Sequence, residues 1–143
     1  MFVLFFGINA AHAQDVNPKK DAEEIAGIWK IDVSKQKDKL EPEKKEKVSK
    51  LEDEEKDKLW LTVDSRFYEF DSLGKLKLSW VEDGAFYQKV GEWKLSEDSK
   101  VLTLDFPDKT LSYKIQVSGK GMTLDPVEKT EEYFTTLYLI SLF

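Results

Sequence analysis

Apolar and polar residues alternate along most of the chain after residue 60, with turn residues at regular intervals. In one such stretch, Leu76, Leu78 and Trp80 alternate with lysine and serine. A period of two is typical of a β-strand with one buried face and one wet face. We predict strands at about residues 25–33, 65–70, 75–80, 85–95, 102–106, 111–117, 122–124 and 134–142.

The segment between the first two predicted strands has a different pattern. Residues 40–59 are mostly Lys and Glu, with little apolar surface, and Pro42 suits a first helical position. Several Glu residues precede a Lys by four positions, which favours a solvated helix. We therefore predict a charged helical insertion that is peripheral to the fold, with a break near Asp53. The pairs are Glu43/Lys47, Glu46/Lys50, Glu52/Lys56 and Glu54/Lys58.

Eight short strands with one long helical connection predict an all-β domain over residues 25–143. The expected architecture is an eight-stranded antiparallel up-and-down barrel with the helical insertion between strands 1 and 2. The last strand is apolar on both faces. It is therefore expected to pair centrally or to close the barrel against the first strand.

The N-terminal residues predict export. Residues 1–13 carry no Asp, Glu, Lys or Arg, and Ala11-His12-Ala13 fits the small-x-small pattern of signal peptidase sites. We predict a signal peptide over 1–13, cleavage before Gln14, and a polar leader over 14–24. The protein would then be periplasmic or secreted. The alternative interpretation of residues 1–13 is a buried N-terminal strand.

Composition argues against most catalytic chemistry. The 143 residues include no Cys and one His, His12, which lies in the predicted signal peptide. The exported chain would lack the groups of Ser-His-Asp and Cys-His catalysis and the usual soft metal ligands. We expect no enzymatic activity, no metal and no cofactor. The acidic run Glu52-Asp53-Glu54-Glu55 lacks the spacing of a calcium loop and fits a solvated helix face better.

Net charge limits the partners. The chain carries a formal charge of −6, so a broad basic surface for nucleic acid is not expected. The apolar run at the N-terminus is too short to span a bilayer, so membrane insertion is not expected either.

A family resemblance adds to this interpretation. Gly27-Ile28-Trp29 resembles the Gly-x-Trp signature of lipocalins. Gly91-Glu92-Trp93-Lys94-Leu95 and the Lys/Glu-rich helix resemble parts of small exported bacterial lipocalin-like domains of the calycin type. The resemblance implies a barrel that binds a small apolar molecule. Two features depart from the pattern: the disulfide common in secreted lipocalins is missing, and the one arginine, Arg66, is not in the last strand.

Two functional hypotheses follow. In the first, the barrel interior holds a small apolar ligand, and Trp29 plugs the base. In the second, the protein is an interaction or structural module with a filled core. A continuous apolar void of roughly 300 Å³ or more would favour the first. The candidate ligand-binding residues share the apolar phase of their strands, and they are Leu78, Trp80, Tyr87, Trp93, Tyr113 and Ile115.

Overall fold

A computed structural model describes residues 18–128 and 135–142 of the chain. It shows a closed barrel of eight antiparallel strands in sequential order, as predicted. The last strand pairs with the first, with Trp29 opposite Ser141 and Ile31 opposite Leu139, and this pairing closes the barrel. The strands are β1 (Gly27–Ile31), β2 (Phe67–Phe70), β3 (Lys75–Glu82), β4 (Ala85–Leu95), β5 (Val101–Asp105), β6 (Thr110–Ser118), β7 (Gly121–Pro126) and β8 (Leu137–Ser141).

Four helices accompany the barrel: α1 (Pro18–Ile25), α2 (Val33–Asp38), α3 (Pro42–Ser49) and α4 (Asp53–Asp64). None of the helices in the described part of the chain is long and apolar enough to cross a membrane. The predicted break near Asp53 is confirmed, and Pro42 occupies the first turn of α3 as expected. Glu46 and Lys50 form one of the predicted helical ion pairs, at 3.3 Å.

The first strand is shorter than predicted at both ends. Ile25 ends α1, and Val33 begins α2. The Asp32 side chain accepts a hydrogen bond from the backbone N–H of Lys35 at 3.2 Å and so caps α2. This local cap outcompetes the strand pattern because an Asp oxygen can satisfy a free N–H in the first turn of a helix.

The helical connection extends further than predicted, since α4 continues through Trp60 to Asp64. Leu59 and Trp60 pack against the barrel core, and Val63 is buried within it. Leu59, Trp60 and Val63 therefore form a docking stripe on α4, whereas Leu61 is exposed. The pattern had predicted a β region from Trp60 onward. Glu52 and Glu55 form a capping box at the other end, which explains the acidic run as a helix start.

The eighth strand begins later than predicted, at Leu137, and Phe134 lies outside the described residues. The predicted signal peptide, the cleavage site and the first part of the leader also lie outside them. The described part of the leader belongs to α1, whose Ile25 joins the core.

Candidate functional site

One end of the barrel is closed by packed side chains. The hairpin turns after β2, β4 and β6 lie at this end, and so does α1. Trp29 is buried here, and its indole N–H donates to the backbone carbonyl of Ile25 at 2.7 Å. This position agrees with the prediction that Trp29 plugs the base of the barrel. Phe70 meets Trp93 edge to face, with ring centroids 5.5 Å apart. Side chains therefore fill most of this half of the barrel, and a depression of about 160 Å³ remains beside α1, where Ile25, Leu95 and Ile115 line it.

The other end is open because strand pairing stops early. β4 pairs with β5 only from Glu92 onward, although it begins at Ala85. β6 likewise pairs with β7 only from Tyr113 onward. The β3–β4 hairpin therefore projects beyond the wall. Ser65, which follows α4, holds the tip of this hairpin, because its hydroxyl accepts a hydrogen bond from the backbone N–H of Val81 at 2.8 Å.

Gly91 allows the wall to narrow below the opening. A Cβ at this position would lie 2.5 Å from the backbone oxygen of Asp105 and 2.9 Å from the Phe106 ring. Real Cβ atoms do not come so close to backbone, so a side chain here would push β4 and β5 apart. The close approach lets Phe106 cover the strand and form part of the cavity floor.

A cavity of about 230 Å³ occupies the open end. Its aromatic and aliphatic surface comes from five strands and the β5–β6 loop. The residues that supply most of this surface are Tyr68, Leu78, Trp80, Phe106, Leu111 and Tyr113. A neighbouring depression of about 220 Å³ shares Leu111, Tyr113 and Pro126 with it, at the gap between β6 and β7. The cavity alone is smaller than the roughly 300 Å³ set as the criterion for a carrier.

Three of the six predicted ligand-binding residues, Leu78, Trp80 and Tyr113, line this cavity. Trp93 and Ile115 share their phase but lie in the filled core, each 7% exposed, and do not line it.

Tyr87 was expected on a buried face, and the structure contradicts this, since its side chain is 45% exposed. It lies on the part of β4 that projects beyond the barrel, where it stacks on Trp80 with an interplanar angle of 13°. Gly27, the other residue of the predicted signature besides Trp29, adopts φ +137°, a conformation that favours glycine.

The alternation pattern did not predict the cations of this site. Arg66, Lys89 and Lys109 also line the cavity. Lys89 Nζ lies 2.9 Å from Asp108 Oδ2 and 5.5 Å from the centre of the Phe106 ring. The hydrogen bond from Lys89 holds the pKa of Asp108 below its usual range. The available signal was that Lys89 shares the inward phase of Tyr87 and Gly91, so a lysine interrupts an otherwise apolar face.

A larger depression, of about 330 Å³, lies on the outer wall. It is bounded by outward-facing Glu92, Lys94 and Asp105 and is separate from the barrel interior. Within the described residues, no group of three or more His, Cys, Asp or Glu side chains could hold a metal ion.

Comparison with known proteins found no matching family model, no matching curated protein and no matching solved structure. The fold is consistent with a calycin-like barrel on its architecture alone.

Proposed function

We propose that this protein is a non-enzymatic, lipocalin-like binding protein that holds a small, largely apolar molecule in the open end of its barrel. The observation that carries the proposal is the cavity itself: it lies inside the barrel, it opens outward, and aromatic rings line it. Concave apolar sites with a few polar groups are the usual form of small-molecule sites. The absence of His and Cys after residue 12 supports a non-catalytic role.

The filled end of the barrel limits the size of the ligand. With about 230 Å³ available, a single aromatic system or a medium-length alkyl chain fits better than a large lipid. Burial of about 250 Å² of apolar ligand surface would contribute about 6 kcal/mol, which corresponds to a Kd of tens of micromolar. Trp80 and Tyr113 supply flat surfaces of the kind that hold such a molecule.

The test uses the neutral dye N-phenyl-1-naphthylamine, which fluoresces in apolar surroundings. Titration of the protein should give saturable dye fluorescence and a parallel change in Trp emission. Trp80→Ala should weaken the affinity at least fivefold because it removes a wall of the cavity. Phe86→Ala is the matched control, since Phe86 lies on the same hairpin but points outward and is 66% exposed. Equal effects of the two substitutions, or no saturation, would contradict the proposal.

A second candidate function is the interaction module considered above, and one observation favours it. The β3–β4 hairpin exposes Val81, Phe86 and Val90 on its outer face. Residues 85–91 of β4 pair with β3 on one side, and no described strand pairs with them on the other side, where β5 pairs only from Glu92 onward. An unpaired strand edge with apolar side chains is the form used in binding by strand addition. Loss of partner binding or self-association in a Val90→Lys variant, with dye binding intact, would assign function to this edge instead.

We also propose that the protein is exported by a bacterial cell, as a periplasmic or secreted protein. The support is the uncharged run ending in Ala11-His12-Ala13. Intact mass of the protein from its native host should correspond to a chain that begins at Gln14. A mass that includes Met1 would contradict export by this route.

A further inference from the structure

We propose that the ligand of this cavity is an anionic amphiphile, whose negative group is held at the rim by Arg66 and Lys109 while its apolar body enters the barrel. The inference rests on the proposed function, since it names the chemical class of molecule that the cavity takes. It adds a specific anion site to the apolar walls.

The charges around the cavity are opposite to those of the whole chain. The protein has 28 acidic and 22 basic residues, so a random lining would include carboxylates. Among the described residues, the three charged ones that line the cavity are all cations, namely Arg66, Lys89 and Lys109. Three carboxylates next to lining residues do not line the cavity themselves: Asp108 pairs with Lys89, Glu82 accepts the Trp80 indole N–H, and Glu128 lines the neighbouring depression.

One of the three cations is already neutralised. Lys89 makes its ion pair with Asp108 at 2.9 Å, so its charge is largely balanced within the protein. Arg66 and Lys109 form no ion pair with any of the residues that the structure describes. Lys109 adds to the field that lowers the pKa of Asp108, which places its charge at the same rim. The rim therefore keeps positive charge that none of the residues 18–128 and 135–142 balances through an ion pair.

The position of Arg66 allows its charge to bind an anionic group of a ligand in the cavity. Arg66 is half-buried, and it precedes β2 by one residue, so its side chain lies above Tyr68 at the cavity wall. A guanidinium that is partly removed from water without an anion loses hydration that nothing repays. Its planar fork binds a carboxylate, sulfonate or phosphate oxygen pair with two parallel hydrogen bonds. A ligand with such a group would satisfy Arg66 and leave its apolar part beside Trp80 and Tyr113.

Two dyes of the same shape separate charge from apolar contact. 1-Anilinonaphthalene-8-sulfonate is N-phenyl-1-naphthylamine with one added sulfonate. Wild-type protein should bind the sulfonate at least fivefold more tightly than the neutral dye in low salt. This preference should shrink as NaCl rises from about 20 to 500 mM, because exposed charges are screened over a few ångströms at high salt.

Variants locate the anion site. Arg66→Gln should weaken sulfonate-dye binding about tenfold and change neutral-dye binding less than twofold. Lys109→Gln should act in the same direction with a smaller effect. Lys77→Gln is the matched control, because Lys77 is exposed on β3 and does not line the cavity, so it removes one charge from the outer wall. Circular dichroism confirms that each variant is folded.

The outcomes are distinguishable. Equal affinity for the two dyes, or a sulfonate affinity that Arg66→Gln and Lys109→Gln leave unchanged, would overturn the anion site while the proposed function stands. Failure of both dyes to bind would overturn the proposed function and the anion site together. Decanoate should displace the sulfonate dye at a concentration at least fivefold lower than decanol does. Binding to phosphatidylglycerol vesicles without displacement by decanoate would assign the anion to a lipid headgroup and overturn a free amphiphile as the ligand.

Discussion

The two ends of the barrel use the same inward phase of the same strands for different purposes. At the closed end, the indole N–H groups of Trp29 and Trp93 donate to backbone carbonyls, and both rings are buried. At the open end, Trp80 donates instead to the exposed Glu82 carboxylate at 3.3 Å, and its ring stacks on a half-exposed Tyr87. Aromatic residues that are equivalent in sequence pattern are therefore core at one end and cavity wall at the other.

The difference follows from strand length. β4 has 11 residues, whereas β5 has five, so β4 outlasts its neighbour and the wall ends unevenly. Where neighbouring strands continue together, inward side chains meet across the barrel and fill it. Where a neighbour stops, inward side chains have partners on one side only. Whether an inward aromatic residue lies in the core or lines the cavity therefore depends on whether the neighbouring strand continues beside it.

The largest expected effect tests the closed end. Trp29→Ala should cost about 3 to 5 kcal/mol of unfolding free energy, because it leaves a void in packed core and frees the Ile25 carbonyl. Trp80→Ala should cost only about 1 kcal/mol, since part of its ring already faces the open cavity. Urea denaturation of both variants measures the difference. Similar losses would mean that the two ends are packed alike and that the comparison is wrong.

The next effect concerns the boundary between the two ends. Gly91→Ala should destabilise the protein by about 1 to 3 kcal/mol, because its methyl group would overlap the Asp105 carbonyl and the Phe106 ring. Gly121→Ala is the control, as its nearest neighbour would be the Ser118 oxygen at an ordinary 3.5 Å. We expect it to change the unfolding free energy by less than about 0.5 kcal/mol. If Gly91→Ala is equally neutral, β4 and β5 can separate freely, and the narrow floor of the cavity is not a fixed feature.

A smaller effect is expected from α3 and α4, which lie in the connection between β1 and β2. Replacing Glu41 to Asp57 with a short Gly/Ser linker removes α3 and the start of α4, but keeps Val63 in the core. The main apolar loss is buried Val48, so a cost of about 1 to 2 kcal/mol is expected, with cooperative unfolding retained. Loss of cooperative unfolding would show that the helices stabilise the barrel as strongly as its closed end does.

Alternation in the sequence was sufficient to predict the barrel, because each strand has to turn one face inward regardless of its length. It could not predict height within the barrel. Tyr87 and Trp93 share one face of β4, yet one is exposed and the other is buried. The alternation within one strand does not show where pairing with the neighbouring strand stops, as it does for β4 and β5 at Glu92.

Helix ends were the other failure, and their cause was local. Asp32 caps a helix where the pattern continued a strand, and Trp60 belongs to α4 although it begins a β-like run. The position of a helix end depends on one or two contacts, such as a capping hydrogen bond or the packing of the last helical turn. A pattern of alternating residues averages over such contacts and therefore places helix ends poorly.

The smallest expected effect concerns the charge balance of the open end. Asp108→Asn should strengthen binding of the sulfonate dye about two- to fivefold, since it releases Lys89 from an exposed ion pair of modest strength. Acidification acts in the same direction, but only at low pH. The hydrogen bond from Lys89 holds the pKa of Asp108 below its usual range. The ion pair therefore neutralises Lys89 at neutral pH, and this neutralisation is lost as the pH falls through the lowered pKa of Asp108. Glu92→Gln is the matched control because Glu92 pairs with Lys75 at 2.9 Å on the outer wall, away from the cavity. An equal gain in both variants would mean that only the net charge of the protein matters, whereas a gain confined to Asp108→Asn would place the anion at the rim.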